Sequence, residues 1–532
     1  MLSFIMVVFL FNATLKGNFI MFKERKSGNF IIGVYCLIIS FVFLLICTKS
    51  SPLYPINDWV DSNAFFTMGK GMMNGKILYR DLFEQKGPLL YFIHGLAYLI
   101  SNNTFLGVYI FEGIFFAVFL YFSNKIINLY YNKKYSYIAL PIISAIVLNL
   151  INFSHGDSAE EFTMPLLIIS LYYLLKYFKN EYPNPIKARI LLLNGFLAGC
   201  VMWIKYSLLG FWFGWMMMIF ISSVINKRFK DSIKECIVFL LGMFLATLPW
   251  IIYFGINGAI LDWINDYIFI NLNAYSVDYT LIQKFKFIYL KMLQGITNNL
   301  FYGVPTIIGL IYVLISNKFI KSIIGKISLI VSICTSVLLV YIGGRGYIYY
   351  FLIFAPFIIF GILFIIDIID KLFGNISNNK NMLVIGAITS IILLTITLKY
   401  NHNTYMLETN KKDLFQYKFA KIIEQTPNAT LLNYGNLDNG LYLTTGIVPN
   451  VKHFEIQNID YDKYPENKDE QNKYIKEGIT DYVLIRVSPK SNIKNIEPNY
   501  IWNKYELVAQ AKQKFEGKDR KFLLFKKKNL NN

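Results

Sequence analysis

The residues able to do chemistry fall in two acidic stretches and at three isolated cations. Asp58, Asp61, Asp81 and Glu84 lie close together, and Asp157, Glu160 and Glu161 share the run GDSAEEF. Lys86 stands in QKGP, Lys205 in WIKYS, and Arg345 in GGRGYIYY beside Tyr347, Tyr349 and Tyr350. A carboxylate can take the proton from an attacking hydroxyl. Lysine and arginine bind phosphate through charge-assisted hydrogen bonds and stabilise the negative charge growing on a departing phosphate. The tyrosines either donate hydroxyls to the same anion or form an interfacial aromatic belt. There is no Gly-rich phosphate loop, so no nucleotide cleft is expected. Five cysteines without a CxxC pair, and no histidine at metal spacing, give no motif for a metal or a required cofactor.

A membrane must position these groups. The 532 residues are 55% hydrophobic, 17% aromatic and 16% charged, with a mean hydropathy of +0.44, whereas soluble domains carry roughly 25% charged residues. That composition excludes a soluble enzyme, a disordered chain and a disulfide scaffold. It predicts a polytopic α-helical membrane protein with about eleven crossings: 29–48, 105–129, 136–153, 161–178, 190–206, 208–226, 236–256, 299–316, 327–343, 349–369 and 383–399. The net charge of +19 sits largely in loops between these spans, so it reads as an orientation signal and not as a nucleic-acid surface. The cation-rich segments are 23–26, Lys133-Lys134, Lys176 to Arg189, Lys227 to Lys234, Lys318 to Lys326 and Lys371 to Lys380. Placing all of them in the cytoplasm puts the N-terminus inside and the C-terminus outside.

The apolar stretch 88–101 is too short to span and is expected to be re-entrant or interfacial. The apolar start, Met1 to Leu10, reads as an interfacial stub or as sequence ahead of a true start at Met21. The expected organisation is a cytoplasmic segment 1–28, a membrane module 29–400 with outer loops 49–104, 154–160 and 257–298, and a small extracytoplasmic α/β domain 401–532. That last part holds 21 Lys+Arg and 16 Asp+Glu, a soluble-like balance. Its helix patterns fall at 411–425 and 466–477. Its strand candidates are Thr430–Tyr434, Leu441–Thr445, Asp481–Arg486, Tyr505–Ala509 and Phe522–Phe525.

In this topology both acidic stretches open on the outer face, where carboxylates are costly unless paired, hydrated or functional. The three isolated cations are exceptions to the orientation rule, which an anionic partner at the outer leaflet would explain. Carboxylates facing outward beside lipid-phosphate cations point to sugar transfer from a lipid-linked phosphate.

The run DSNAFFTMGKGMMNG from Asp61, then LYRD ending at Asp81, then KGPLLYF from Lys86, resembles the first outer loop of GT-C integral-membrane glycosyltransferases. It is similar to the branch containing protein O-mannosyltransferases and the aminoarabinose transferase of lipid A. The resemblance implies Asp61 as general base and Lys86 as a contact to the donor phosphate; Asp58, three residues before, is the fallback base. Lys205, Arg345 and Tyr350 would join that phosphate site, while Asp81, Asp157, Glu160 and Glu161 would serve the acceptor or orient neighbours. Many members have Asp-Glu where this chain has Asp61-Ser62, so a second acid's role would pass to Asp58, Glu160 or Glu161. The spacing Asp58-x-x-Asp61 is not an Asp-x-Asp metal signature, so no cofactor is required and a divalent metal is left open without support from the sequence. The implied partners are a polyprenyl-phosphate sugar donor, membrane lipid and a cell-envelope glycan, lipid or protein acceptor, at a bacterial cell membrane. Inversion at the anomeric carbon is expected. A transporter or flippase of lipid-linked glycans, or a glycan polymerase or ligase, are the competing readings. Transporters more often place ionisable groups at the bilayer midplane with repeat symmetry between halves.

Overall fold

The computed structural model describes residues 25–373 and 381–528. The apolar start, Met21, Lys23, Glu24 and the end of the Lys371–Lys380 loop lie outside these residues. The chain opens with helix α1 (Arg25–Cys47) and then two shorter helices, α2 (Val60–Met73) and α3 (Pro88–Ile100). The bundle continues through α4 (Leu106–Tyr130), α5 (Ser136–Leu148), α6 (Ala159–Asn180), α7 (Ala188–Lys205), α8 (Gly210–Ile225) and α9 (Phe229–Ile256). Short helices α10 (Ile260–Ile264) and α11 (Ile270–Asn273), joined by a π-turn, lead to α12 (Leu281–Thr297) and α13 (Leu300–Ile315). The last bundle helices are α14 (Ile323–Tyr341), α15 (Ile358–Phe373), which a 3-10 stretch Ile348–Phe357 precedes, and α16 (Met382–Tyr400).

Among the described residues, seven helical segments are long and apolar enough to cross a membrane, and the pair α12 and α13, bent by 110°, makes an eighth if counted as one span. The eleven expected spans all fall on helices, but 161–178, on α6, is not among these segments, and 136–153 is a 13-residue helix and 208–226 a 16-residue one. Both are shorter than the roughly 20 residues a perpendicular crossing needs. The stretch 88–101 is the 13-residue α3, which begins at Pro88 and packs along α2. Small residues let neighbouring helices approach, as membrane helices require. A Cβ on Gly195 of α7 would stand 1.9 Å from the Phe239 carbonyl oxygen of α9, and Gly242 of α9 meets α7 the same way.

The C-terminal region carries α17 (Phe415–Ile423), β1 (Leu431–Tyr434), α18 (Leu441–Thr445), α19 (Glu466–Glu477), β2 (Tyr482–Val487), α20 (Ile501–Lys504), β3 (Tyr505–Phe515) and β4 (Lys518–Lys527). The sheet order is β1-β2-β4-β3, with β1 and β2 parallel and the other pairs antiparallel. β3 and β4 form a hairpin whose two turn residues, Glu516 and Gly517, both have positive φ, the geometry that matches strand twist. Four expected strands are present, β3 and β4 longer than expected. Leu441–Thr445 is instead a helix, bounded by Gly440 and Gly446 in left-handed conformation. Its short apolar run buries consecutive residues, a pattern that fits a buried helix turn as well as a strand.

This region caps one end of the bundle. The Lys70 ammonium donates to the Tyr442 carbonyl at 2.7 Å, Thr67 to Asp438 at 2.7 Å, and the Phe83 N–H to the Lys452 carbonyl at 3.0 Å. The cap holds the α1–α3 connections in place, and the candidate site lies beneath them.

Candidate active site

Asp61 sits in the first turn of α2, where a carboxylate is favoured by the unpaired N–H groups of the helix start. Its Oδ2 accepts a hydrogen bond from the Tyr349 hydroxyl at 2.9 Å. Tyr349 comes from the 3-10 stretch Ile348–Phe357 and packs edge-on against Trp59, at 5.1 Å between ring centres. A loop fixes Lys86 by its neighbour: the Gly87 N–H donates to the Ile204 carbonyl at 3.0 Å, and a Cβ on Gly87 would lie 2.1 Å from the Trp203 carbonyl oxygen. Only glycine lets the QKGP loop seat against the end of α7, one residue from Lys205. Pro88 then starts α3, where its missing N–H costs nothing.

Around these residues the charges alternate. The Lys86 ammonium lies 3.4 Å from Glu84 Oε1 and 5.3 Å over the Phe65 ring. Glu84 is buried and also accepts from the Lys86 N–H at 2.8 Å and from the Tyr91 hydroxyl. Lys205 pairs with Glu160 Oε1 at 2.5 Å and lies 3.4 Å over the Tyr350 ring and 5.6 Å from that of Tyr349. Glu160 is fully buried at the start of α6, and its Oε2 has no hydrogen-bond partner among the described residues. Burial pushes the Asp61 carboxyl above the ordinary carboxylate range, with Glu84 adding to the rise; Lys86, Tyr349 and Lys205 act against it. Burial alone would depress the Lys86 ammonium, but Glu84 and Asp61 outweigh it and hold its pKa above the ordinary lysine value. Asp61 and Lys86 keep partial exposure while their neighbours in α2 and the loop are buried, so the pair faces an opening.

Asp61, Lys86, Glu160, Lys205 and Tyr350 therefore stand together, whereas other residues singled out from the sequence do not. Asp58 forms a buried ion pair with Lys49 at 2.5 Å and accepts from the Glu516 N–H at 3.0 Å, which ties the loop to the β3–β4 turn. Lys49 and the turn hold the Asp58 carboxyl below its ordinary value despite its burial. Asp81 pairs with Arg80 at 3.0 Å and accepts from the Ile77 N–H at 2.7 Å, closing its own turn. Asp157 is buried between the His94 ring, 2.8 Å away, and the Ser62 hydroxyl. Its N–H is shared at 2.8 Å by Glu112 and Glu161. Arg345 lies at the rim: its Nε donates to the Tyr275 carbonyl at 2.9 Å, and its Nη2 is 3.7 Å from Asp460 of the C-terminal region. The Tyr275 hydroxyl in turn stands 3.5 Å from that of Tyr350.

Three residues lacked an assigned role in the sequence reading. Tyr349 points inward to Asp61 and is not part of an aromatic belt. Glu84 braces Lys86. Glu112 was visible as the one acid in an otherwise apolar span, the usual mark of an intramembrane role. Among the described residues, no group of three or more His, Cys, Asp or Glu is arranged to hold a metal ion.

The sequence profile of the family "Competence-induced Ccs4, N-terminal domain" matches residues 23–407. The chain belongs to this family. No curated protein sequence matches it. Among solved structures, it is similar to ArnT from Cupriavidus metallidurans bound to undecaprenyl phosphate, with a TM-score of 0.57 and 11% identity over 93% of this chain and 97% of that one. The apo state of the same protein gives a TM-score of 0.54 and 13% identity over 94% and 98%. This Ccs4-family chain thus has the GT-C fold in a multi-pass helical protein. Every residue of the Asp61 cluster lies inside the profile match, and the sheet-bearing region lies beyond it.

Proposed function

We propose that this protein is a membrane glycosyltransferase that moves a sugar from a polyprenyl-phosphate donor to a cell-envelope acceptor at the outer face. The supporting observation is the Asp61 cluster: one partly exposed carboxylate hydrogen-bonded to Tyr349 with Lys86 and Lys205 beside it, at the bundle end that the C-terminal region caps. In this reading Asp61 takes the proton from an acceptor hydroxyl as its oxygen attacks the anomeric carbon. The bond from that carbon to the lipid phosphate breaks, and its electron pair leaves on the phosphate oxygen. One direct displacement inverts the configuration. Lys86 and Lys205 receive the charge growing on the phosphate, Glu84 and Glu160 hold the two ammonium groups in place, and Tyr349 orients the base. Arg345 and Tyr350 flank the phosphate. Asp58 is a structural ion-pair partner in this scheme.

An apolar cavity of about 480 Å³ supports a lipid-borne donor. It lies between α7, α8, α9 and α14, with Leu209, Trp212, Met216, Phe220 and Met243 among its walls. Leu209 is only four residues from Lys205, so an isoprenoid chain in this groove would deliver its phosphate to the cluster. ArnT from Cupriavidus metallidurans, of the same fold, is a protein solved with undecaprenyl phosphate. The N-terminus is assigned to the cytoplasm on the cation-rich loops.

The test is transfer from radiolabelled polyprenyl-phosphate sugars by protein purified in detergent. Asp61→Asn is expected to lower turnover by about 10²–10⁴-fold, the range for a lost general base, with unchanged membrane insertion. Transfer at the wild-type rate would remove Asp61 from the mechanism.

A further inference from the structure

A second cavity, of about 390 Å³, opens in the C-terminal region at the carboxyl ends of the parallel strands β1 and β2, among Tyr434, Asn436, Lys468, Arg486, Ser491 and Glu497. Open α/β sheets place ligands at this edge, and the volume falls in the range of roughly 300–1,000 Å³ typical of small-molecule sites. What marks it is the way Arg486 is held. Its Nε donates to Asn436 at 3.1 Å and its Nη1 to Asn439 at 3.0 Å, so two neutral amides fix the plane of the guanidinium. Its nearest carboxylate, Glu516, is 3.9 Å away, and its Nη2 has no hydrogen bond among the described residues. A largely buried guanidinium is normally matched by a close bidentate carboxylate. Here the fork is oriented in advance while its charge stays only loosely balanced. Lys468, in the first turn of α19, adds a second cation to a lining that also includes Glu497.

We infer that this cavity binds an anionic saccharide, a sugar unit carrying a phosphate or a carboxylate. The Arg486 fork and Lys468 take the anion, and Asn436 and Ser491 face the sugar hydroxyls. An envelope acceptor carrying such groups would be held away from the phosphate-binding lysines of the bundle. The site also has a direct line to them. Glu516 faces Arg486 with one carboxylate oxygen and accepts from the Val60 N–H at 3.4 Å with the other, and Val60 begins the helix that carries Asp61. This inference goes beyond transfer chemistry and stands whether or not Asp61 is the base.

The experiment is calorimetric titration of the full-length protein in zwitterionic nanodiscs with glucose 6-phosphate, glucuronate, glucose and inorganic phosphate. Saturable binding of glucose 6-phosphate or glucuronate, about tenfold or more tighter than glucose, is expected, as one charge-assisted fork provides. Whichever of the two binds tighter identifies the anion. Arg486→Gln should weaken it by about tenfold and the exposed Lys468→Ala by a few-fold, whereas Asp61→Asn should leave it unchanged. Lys468→Ala carries the test if Arg486→Gln fails to fold. Charged sugars that bind no better than glucose would overturn the inference. So would inorganic phosphate binding as tightly as glucose 6-phosphate, or folded Arg486 and Lys468 variants that bind like wild type.

Discussion

At the residue scale, two aspartates three positions apart do opposite work. Asp61 opens α2 with a single hydrogen bond from Tyr349 and partial exposure, whereas Asp58 is locked against Lys49 and the β3–β4 turn. Breaking a buried pair by removing one charge costs about 3–5 kcal/mol, because the other charge stays buried and uncompensated. Asp58→Asn is therefore expected to lower the melting temperature markedly in a thermal-shift assay, while Asp61→Asn lowers transfer by about 10²–10⁴-fold with little change in melting. If the two variants exchange these phenotypes, the assignment of roles fails. Tyr349 gives a finer test. Its hydroxyl stabilises the charged form of Asp61, so Tyr349→Phe should raise the carboxyl pKa further. A base works only when deprotonated, so the acid limb of the kcat/KM profile should move to higher pH, with a loss of a few-fold above it. An unmoved acid limb would separate Tyr349 from the base.

At the element scale, α2 is the part of the bundle that the C-terminal region grips hardest. Lys70 is fully buried in this interface, with its ammonium on the Tyr442 carbonyl and Asp438 nearby. Burial pushes its pKa down to about 7, against an ordinary 10.5, with Asp438 only partly offsetting the drop. The unfolded chain therefore binds a proton at Lys70 that the folded chain has released between about pH 7 and pH 10.5. Stability rises with pH where the unfolded state holds more protons, so the penalty of the buried cation is full below pH 7 and fades across that window. Lys70→Met removes the term. The difference in melting temperature between Lys70→Met and wild type should shift toward the wild type as pH rises from 7 to 10. A difference that stays constant over that range would mean that Lys70 does not titrate there.

At the scale of the whole molecule, what the sequence disclosed and what it withheld divide along physical lines. Membrane helices advertise themselves by hydropathy, so every expected span lands on a helix, although α5 and α8 fall short of a full crossing. Lys86 and Lys205 stood out because cations at those loop ends defy the orientation rule, and the structure brings their chain segments together through the Gly87–Ile204 hydrogen bond. Pairings across distant segments were hidden: nothing local ties Asp58 to Glu516, Arg345 to Asp460 or Lys452 to Asp266. Leu441–Thr445 was ambiguous for a different reason, since five apolar and hydroxyl residues fit either a strand or a turn of helix.

Those distant pairings lead to the last prediction. The family profile ends at residue 407, which invites the cut of the chain there. Yet Lys70 finds its acceptor on Tyr442 and Thr67 on Asp438, Asp58 accepts from the Glu516 N–H, and Asp266 forms a salt bridge with Lys452 at 3.0 Å. Removing residues 408–532 would leave these buried groups of the bundle end without partners at a cost of roughly 1–3 kcal/mol for each unsatisfied polar group. The truncated chain is thus expected to insert but to elute as aggregate or melt far below the full chain in detergent, and to lose transfer even though the Asp61 cluster is retained. A monodisperse truncation with the melting temperature of the full chain would show that the cap only rests on the bundle and does not hold its end together.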